Sequence, residues 1–504
     1  MRLNKSLRAA LTGLTALSFV SACAPAGGPS ADAPRTVSQR SGSDQRLGDS
    51  EHPKILKAFG GEVQDARLRG YVRDIGMRLA AQSEQPQGPW TFTVLDSPVV
   101  NAFALPGGYI YVTRGLIALA NDEAELAGVV GHEIGHVTGA HTAKRQDRAG
   151  IAQLGIFAAT LGAALLGAGN QAVKAVNQLG NQVGQGYVAG FSRTQEFEAD
   201  RLGVRYISKG GYDPLAQADF LESLQRTTEL QSQIAGRSYD PNRVDFLSTH
   251  PATAQRVREA VSAARRDGVA VPDGAPRNQQ RFFREIEGMI YGDSAEQGFV
   301  RGRTFSHSKL RFSFTVPQEF RIQNSAAKVT AAGPNGAGLI FDGDKATSGG
   351  VDQYISRVWA TSIAKQTRTG KLANLQRFTV NGLSAASGQM AIETRNGVQI
   401  ARMTAIRLGD TMYRFLGIQP QNADRLGRTM DDAARTFRRL SAGEARRLKP
   451  YKIAIRKVRS GDTVAKLARR SAFDDFAEQR FRVLNGLSAG EGLRIGESVK
   501  LVVE

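Results

Sequence analysis

Three of the six histidines fall within ten residues, at positions 132, 136 and 141. Two of them frame His132-Glu133-Ile134-Gly135-His136. On an α-helix, positions i and i+4 lie about 40° apart in azimuth, so both imidazoles can reach one zinc ion while Glu133 points toward its open side. This is the HExxH arrangement. Zinc makes a water acidic enough to lose a proton near neutral pH, and a carboxylate beside it can accept that proton, so Glu133 is the expected general base. A third protein ligand is still required. His141 comes five residues after His136, about 140° around a continuing helix, and the metzincin spacing would need a histidine where the chain has Thr142. His141 is therefore expected behind the ligands or at the surface. Glu196, in Gln195-Glu196-Phe197-Glu198-Ala199-Asp200, is the better candidate and completes a His, His, Glu set. Asp200 sits one turn later on the same face, where it can hold the other nitrogen of a ligand imidazole.

These groups need elements to hold them. Leu126, Val129, Val130, Ile134 and Val137 give the motif a buried helical face, and Asp122 and Glu125 have capping-box spacing where that helix starts, around Asn121. Upstream, Leu68, Tyr71, Val72, Ile75 and Leu79 keep helical spacing, while Trp90, Phe92 and Val94 alternate as in a half-buried strand. A second strand, Tyr109, Ile110, Tyr111 and Val112, follows the turn-forming Pro106-Gly107-Gly108. It is expected to form the cleft edge on which an extended substrate pairs by β-augmentation, a mode that selects unfolded segments and reads few side chains. Residues 151–169 are uncharged and about long enough to cross a membrane, but glycine and alanine dominate them. That weak hydropathy favours a buried or site-covering helix over a span.

With 504 residues the chain has room for roughly three domains. Apolar residues at 41% and charged residues at 22% argue against collagen-like, largely disordered and polytopic membrane classes. The formal charge of +19 points to polyanionic neighbours, namely anionic lipid or wall polymer; an exported chain with no nucleic-acid motif gives no support for nucleic acid. Export is read from the N-terminus. Arg2, Lys5 and Arg8 precede an apolar run from Ala9 to Val20, too short to span, and then Ser21-Ala22-Cys23. Residues 1–22 read as a signal peptide, and their removal leaves a charge of +16. The segment resembles a bacterial lipobox, which implies lipidation of Cys23, the only cysteine. Ala24 lacks the aspartate that favours inner-membrane retention in some bacteria, so the expected location is periplasmic, lipid-anchored, and at the outer rather than the inner membrane. Residues 23–52 read as a flexible tether, 53–265 as the catalytic domain and 266–302 as a linker. Strand-like runs and a closing helix, with Leu426, Met430, Ala433, Phe437 and Leu440 on one face, make 303–445 an α+β domain of unknown role.

Three segments in order carry a resemblance. Asn101-Ala102-Phe103-Ala104-Leu105-Pro106-Gly107-Gly108 with the strand that follows, then the HExxH segment, then Glu196 to Gly203, are similar to the zinc metallopeptidases of family M48, which include CAAX prenyl proteases, HtpX-type membrane proteases and periplasmic BepA-like enzymes. The resemblance covers about residues 53–265. It implies a mainly α-helical gluzincin-type fold with a small sheet, endopeptidase activity, one catalytic Zn2+ held by His132, His136 and Glu196, Glu133 as catalyst and Asp200 as support. Ser248-Thr249-His250-Pro251 is similar to a segment of BepA-like members whose histidine can approach zinc and oppose activity. His250 then has three readings: a regulatory fourth ligand, a donor to the oxyanion, or a structural histidine. At the C-terminus, Ser460-Gly461-Asp462-Thr463, Leu484-Asn485-Gly486-Leu487 and Leu493 to Leu501 resemble a LysM module. That implies a small βααβ fold over residues 446–504 and peptidoglycan binding through residues 452–503. The combined expectation is a multidomain, lipid-tethered zinc endopeptidase of the bacterial envelope that degrades misfolded or unassembled envelope proteins. Two other readings are a hydrolase of peptidoglycan stem peptides and a non-enzymatic chaperone or scaffold for outer-membrane proteins.

Overall fold

The protein is described by a computed structural model over residues 37–141, 191–234, 258–262, 265, 274–367, 371–394, 397–420 and 424–504. Cys23, residues 151–169 and His250 lie outside the described residues.

The first departure from expectation is near the start. Residues 37–52 belong to a helix, α1 (Val37–Phe59), with Pro53 inside it, rather than to a tether. The early turns of α1 have no apolar stripe for a periodicity argument to find, because polar groups dock them. Gln45 donates to the Tyr109 hydroxyl, that hydroxyl donates to Asp49, and His52 Nδ1 lies 2.9 Å from the Tyr111 hydroxyl. Ile55 and Phe59 then join Leu95, Phe103 and Leu105 in a small apolar cluster.

Helix α2 (Ala66–Ala80) starts where Asp65 accepts from the backbone of Arg67 and Leu68, and it buries Leu68, Tyr71, Val72, Ile75 and Leu79 as their spacing predicts. Strands β1 (Thr91–Leu95), β2 (Ala102–Leu105) and β3 (Tyr109–Thr113) make one sheet in the order β1-β3-β2. The tight turn at Gly107 and Gly108, with φ of 85° and 81°, folds β2 back on β3 in an antiparallel pair, and β1 takes the other side in parallel. Tyr109, Ile110, Tyr111 and Val112 are therefore in the central strand, paired on both sides, which corrects the expectation that they form an edge. Among the described strands, β1 and β2 are the two outer strands of this sheet.

Helices α3 (Arg114–Leu119), α4 (Glu123–Thr138), α5 (Arg193–Lys209) and α6 (Ala216–Ile234) complete the helical body around this sheet. Part of the expected linker is also folded. Helix α7 (Gln279–Ile286) puts Phe282, Phe283 and Ile286 into the core shared by α2 and α4, and β4 (Ile290–Tyr291) follows it.

Two antiparallel sheets form the next unit. Strands β5 (Phe299–Arg301), β6 (Thr304–His307) and β7 (Phe312–Thr315) lie beside a late strand, β15 (Arg438–Arg439), in the order β15-β7-β6-β5. The larger sheet takes the order β11-β12-β13-β14-β10-β9-β8 and contains β8 (Arg321–Asn324), β9 (Val329–Ala332), β10 (Gly338–Lys345), β11 (Ala373–Val380), β12 (Leu383–Thr394), β13 (Gly397–Leu408) and β14 (Thr411–Pro420). Helix α8 (Asp424–Arg435) precedes β15 (Arg438–Arg439). Phe305, Phe314, Phe341, Phe415 and Met430 bind both sheets and α8 into one core, which is the expected α+β arrangement. Strand β12 has no local signal in the sequence, because Ser384-Ala385-Ala386-Ser387-Gly388 has too little apolar contrast to alternate. Phe437 and Leu440 are buried as expected, but past the end of α8.

After the short helix α9 (Ala442–Arg447), the C-terminal segment runs strand, helix, helix, strand: β16 (Tyr451–Lys457), α10 (Val464–Ala468), α11 (Ala477–Leu484) and β17 (Ser498–Val503). Thr463 caps α10, and β16 pairs antiparallel with β17 on one side and β4 on the other. This segment does not hang from the body. Ile453, Leu484 and Val502 belong to the core that holds α4, and the Lys500 ammonium donates to the carbonyls of Ala118, Leu119 and Ala120 where α3 ends. No helix among the described residues is long and apolar enough to cross a membrane.

Candidate metal centre

The HExxH helix is fixed at its N-terminus before any metal is considered. Asp122 accepts from the backbone of Glu125 at 2.8 Å and is paired with Arg277. The fully buried Glu123 accepts from the Tyr71 hydroxyl at 2.9 Å and the Tyr212 hydroxyl at 2.8 Å, and so ties α4 to α2 and to the loop after α5. Close packing then brings α5 onto α4. A Cβ added at Gly135 would meet the Ala199 carbonyl oxygen at 2.8 Å, and one at Gly203 would meet the His132 backbone nitrogen at 3.0 Å. Only glycine at these points lets the helices approach closely enough for side chains on α5 to reach the histidines of α4. Helix α5 itself starts with a capping box between Ser192 and Gln195, so that Glu196 and Asp200 fall on consecutive turns facing α4.

His132, His136 and Glu196 are all buried, and their nearest ligand atoms lie within 4.8 Å of one another. The two Nε2 atoms are 3.0 Å apart, and the Glu196 carboxylate lies 3.6 Å from His132 Nε2 and 3.4 Å from His136 Nε2. Behind His132, Nδ1 meets Asp200 Oδ1 at 2.9 Å, and the same carboxylate oxygen accepts from Gln217 of α6 at 3.4 Å. Glu133 is buried on the helix between the two histidines.

This donor set fits a divalent cation. With each Nδ1 bonded outward, the Nε2 lone pairs and a carboxylate converge on one point inside the protein, an arrangement that only positive charge relieves. The electrostatics agree. Burial works to lower the His132 imidazole, but hydrogen bonds to Asp200 and Glu196 and the charges of both carboxylates outweigh it and lift the group to about 10. Two imidazoles and one carboxylate suit zinc and leave room for a fourth ligand.

Residues 66–264 match the model of Peptidase family M48. They belong to that family. The M48 segment takes in α2 to α6, with His132, Glu133, His136, Glu196 and Asp200. The chain is 29% identical over 272 residues to the beta-barrel assembly-enhancing protease of Escherichia coli, covering 52% of this chain and 53% of that protein. The Yersinia pestis protein of the same name is 29% identical over 240 residues, covering 47% and 46% of the two chains. Mitochondrial metalloendopeptidase OMA1 of Schizosaccharomyces pombe is 26% identical over 219 residues, covering 43% of this chain and 59% of its own. The chain thus spans about half the length of the curated relatives it matches.

The sequence-derived residues His132, Glu133, His136, Glu196 and Asp200 come together in the M48 segment, whereas Tyr109 to Val112 stand in the middle of the sheet. Phe191, which carries no local sequence signal, stacks on the His136 ring at 3.9 Å between centroids. His141, expected behind the ligands or at the surface, takes the first of these places and is fully buried against the same ring. It gets there because α4 ends at Thr138, and Ala140, with φ of 53°, turns the chain back.

Proposed function

We propose that the chain is a zinc endopeptidase of the bacterial cell envelope that cleaves misfolded or unassembled envelope proteins. The observation that carries this reading is the buried convergence of His132, His136 and Glu196 around one point, with Glu133 on the same helix. His132, His136 and Glu196 would hold the ion, which polarises a peptide carbonyl and makes water a competent nucleophile. Glu133 accepts the proton of the attacking water and returns it to the leaving amine. Asp200 keeps His132 in the tautomer that turns Nε2 toward the ion. Strand β2, with its outer edge unpaired among the described strands, supplies backbone donors and acceptors for an extended peptide. Folded proteins hide such segments, so selectivity for unfolded chains follows from the mode of binding.

The envelope setting is supported by the lipobox-like segment ending at Cys23, by the names of the relatives and by the net positive charge. Lipid on Cys23 would anchor the chain at the outer membrane, and the C-terminal module, if LysM-like in binding as well as in element order, would hold it near peptidoglycan. The test is cleavage of an unfolded outer-membrane protein by the full chain. Cleavage should disappear on removal of metal by a chelator, return with stoichiometric zinc, and spare the folded form of the same substrate. Cleavage that survives full removal of metal would overturn the zinc mechanism.

His250 is assigned a gating role at the open coordination position, on the resemblance of its segment to BepA-like members. His250→Ala should raise the turnover of zinc-loaded protein. If cleavage is lost while zinc stays bound, the residue is catalytic instead.

A further inference from the structure

The two histidines of the metal centre are supported differently. His132 leans on a carboxylate, Asp200, one turn from Glu196. His136 leans on a third imidazole: its Nδ1 lies 3.0 Å from Nδ1 of His141, and His141 Nε2 lies 3.1 Å from Glu198 Oε2. His141 is fully buried, whereas the Glu198 side chain is 41% exposed. We propose that His141 is a positioning residue of the metal centre, a neutral acceptor that fixes the ring and tautomer of His136 and is itself fixed by Glu198. The proposal rests on the metal reading of the site.

The bonding admits one arrangement of protons. If His136 offers Nε2 to a metal, its proton is on Nδ1, and that N–H must donate. The facing Nδ1 of His141 must then be the acceptor, so the His141 proton is on Nε2, where the Glu198 carboxylate accepts it. Each hydrogen-bonding nitrogen has a complementary partner, and the chain from Glu198 to His136 reads in one direction only. Local structure serves this geometry. Helix α4 stops at Thr138, and Ala140, in the left-handed region, folds the next residue back over the last turn. A Cβ added at Gly139 would meet His141 Nε2 at 2.5 Å and Cε1 at 2.9 Å, so glycine makes room for the ring. Phe191 covers the face of His136, centroid to centroid at 3.9 Å and 24° between planes, which leaves the ring little freedom except about the axis that the bond to His141 controls. Glu196 ligates from one turn of α5, and Glu198, two residues on, reaches the outside of the same centre. The acidic run therefore serves both the ion and the imidazole behind it.

The test is the zinc affinity of the full chain, measured by competition with a chelator, with the melting temperature of each metal-free protein as a control for folding. His141→Phe keeps a ring and loses the acceptor; zinc affinity should fall roughly 10- to 100-fold. His141→Asn returns an acceptor oxygen near the position of Nδ1 and should recover most of that loss. Glu198→Ala, at a half-exposed position that the fold tolerates, should weaken zinc several-fold by releasing the His141 tautomer. Cobalt-loaded wild type and His141→Phe should also differ in their visible bands, because the field of the His136 ligand changes. Wild-type affinity in His141→Phe would overturn the proposal, as would equal losses in the Phe and Asn variants. If His141→Phe does not fold, unchanged affinity in Glu198→Ala overturns it. Wild-type protein that takes up no zinc would overturn the metal reading itself, an outcome distinct from normal uptake by all variants.

Discussion

Glu133→Gln protein is expected to bind zinc and melt as the wild type does, while cleavage of an unfolded outer-membrane protein falls by a factor of about 10² to 10⁴, the usual worth of a positioned general base. The change removes one negative charge and keeps the shape of a side chain that is almost wholly buried on α4. It does not touch the His132, His136 and Glu196 set, so zinc content should stay stoichiometric. The comparison requires both proteins at equal zinc occupancy. Three results are informative. Loss of cleavage in the variant alone supports the endopeptidase reading. Equal cleavage by both proteins would remove Glu133 from the mechanism. No cleavage by either, together with suppression of aggregation by both, would favour the chaperone reading, in which the centre is structural.

Lys500→Met should destabilise the whole peptidase body, not the C-terminal module alone. Lys500 is fully buried in β17, and its ammonium meets three carbonyls at the end of α3, roughly 380 residues back along the chain. Burial pushes this group below the usual lysine range, while Glu125 and Asp122 at the start of α4 pull it back. Three carbonyl acceptors match the three N–H donors of an ammonium, and a neutral amine offers only two, so the charged form is the one that fills the site. Methionine fills the space and leaves the three carbonyls without their donor, and it removes one of the two cations, beside Arg277, that act on the Glu125 carboxyl. Breaking a buried, hydrogen-bonded charge in this way costs about 3–5 kcal/mol. For a body of this size that is a fall of about 10 °C in melting temperature, read by calorimetry on metal-free protein. An unchanged melting temperature would show that the module contributes nothing to the body through this contact. The contact also bears on domain logic. Because β4 pairs with β16 and Lys500 caps α3, the module and the HExxH helix share one support.

How far the residues announced this arrangement depends on the range of the contact involved. His132 and His136 are legible because i,i+4 spacing on a helix converts directly into a shared face. Glu196 and Asp200 are legible because their spacing repeats that rule on a second acidic helix, and because the order of segments resembles a family. The strands from Phe312 to Thr315 and from Thr411 to Pro420 follow local alternation and fall within the α+β segment where strand-like runs are expected. The first half of α1 fails the same test, since its stabilising partners are the hydroxyls of Tyr109 and Tyr111, some sixty residues away, and its own sequence is polar. Helix α7 was hidden for a related reason: two phenylalanines and an isoleucine in eight residues are too few to mark an element until the core that receives them exists.

The residues alone thus pointed to the histidine pair, to Glu133 between them and to the acidic run of the second helix, because each depends on spacing within one helix. Tertiary structure alone decided which strand has an open edge, what stands behind His136, and that the last strand caps an early helix. Sheet order, a helix end that folds back on itself and a buried lysine reaching across the body all depend on contacts between residues far apart in sequence, and no local period records such a contact.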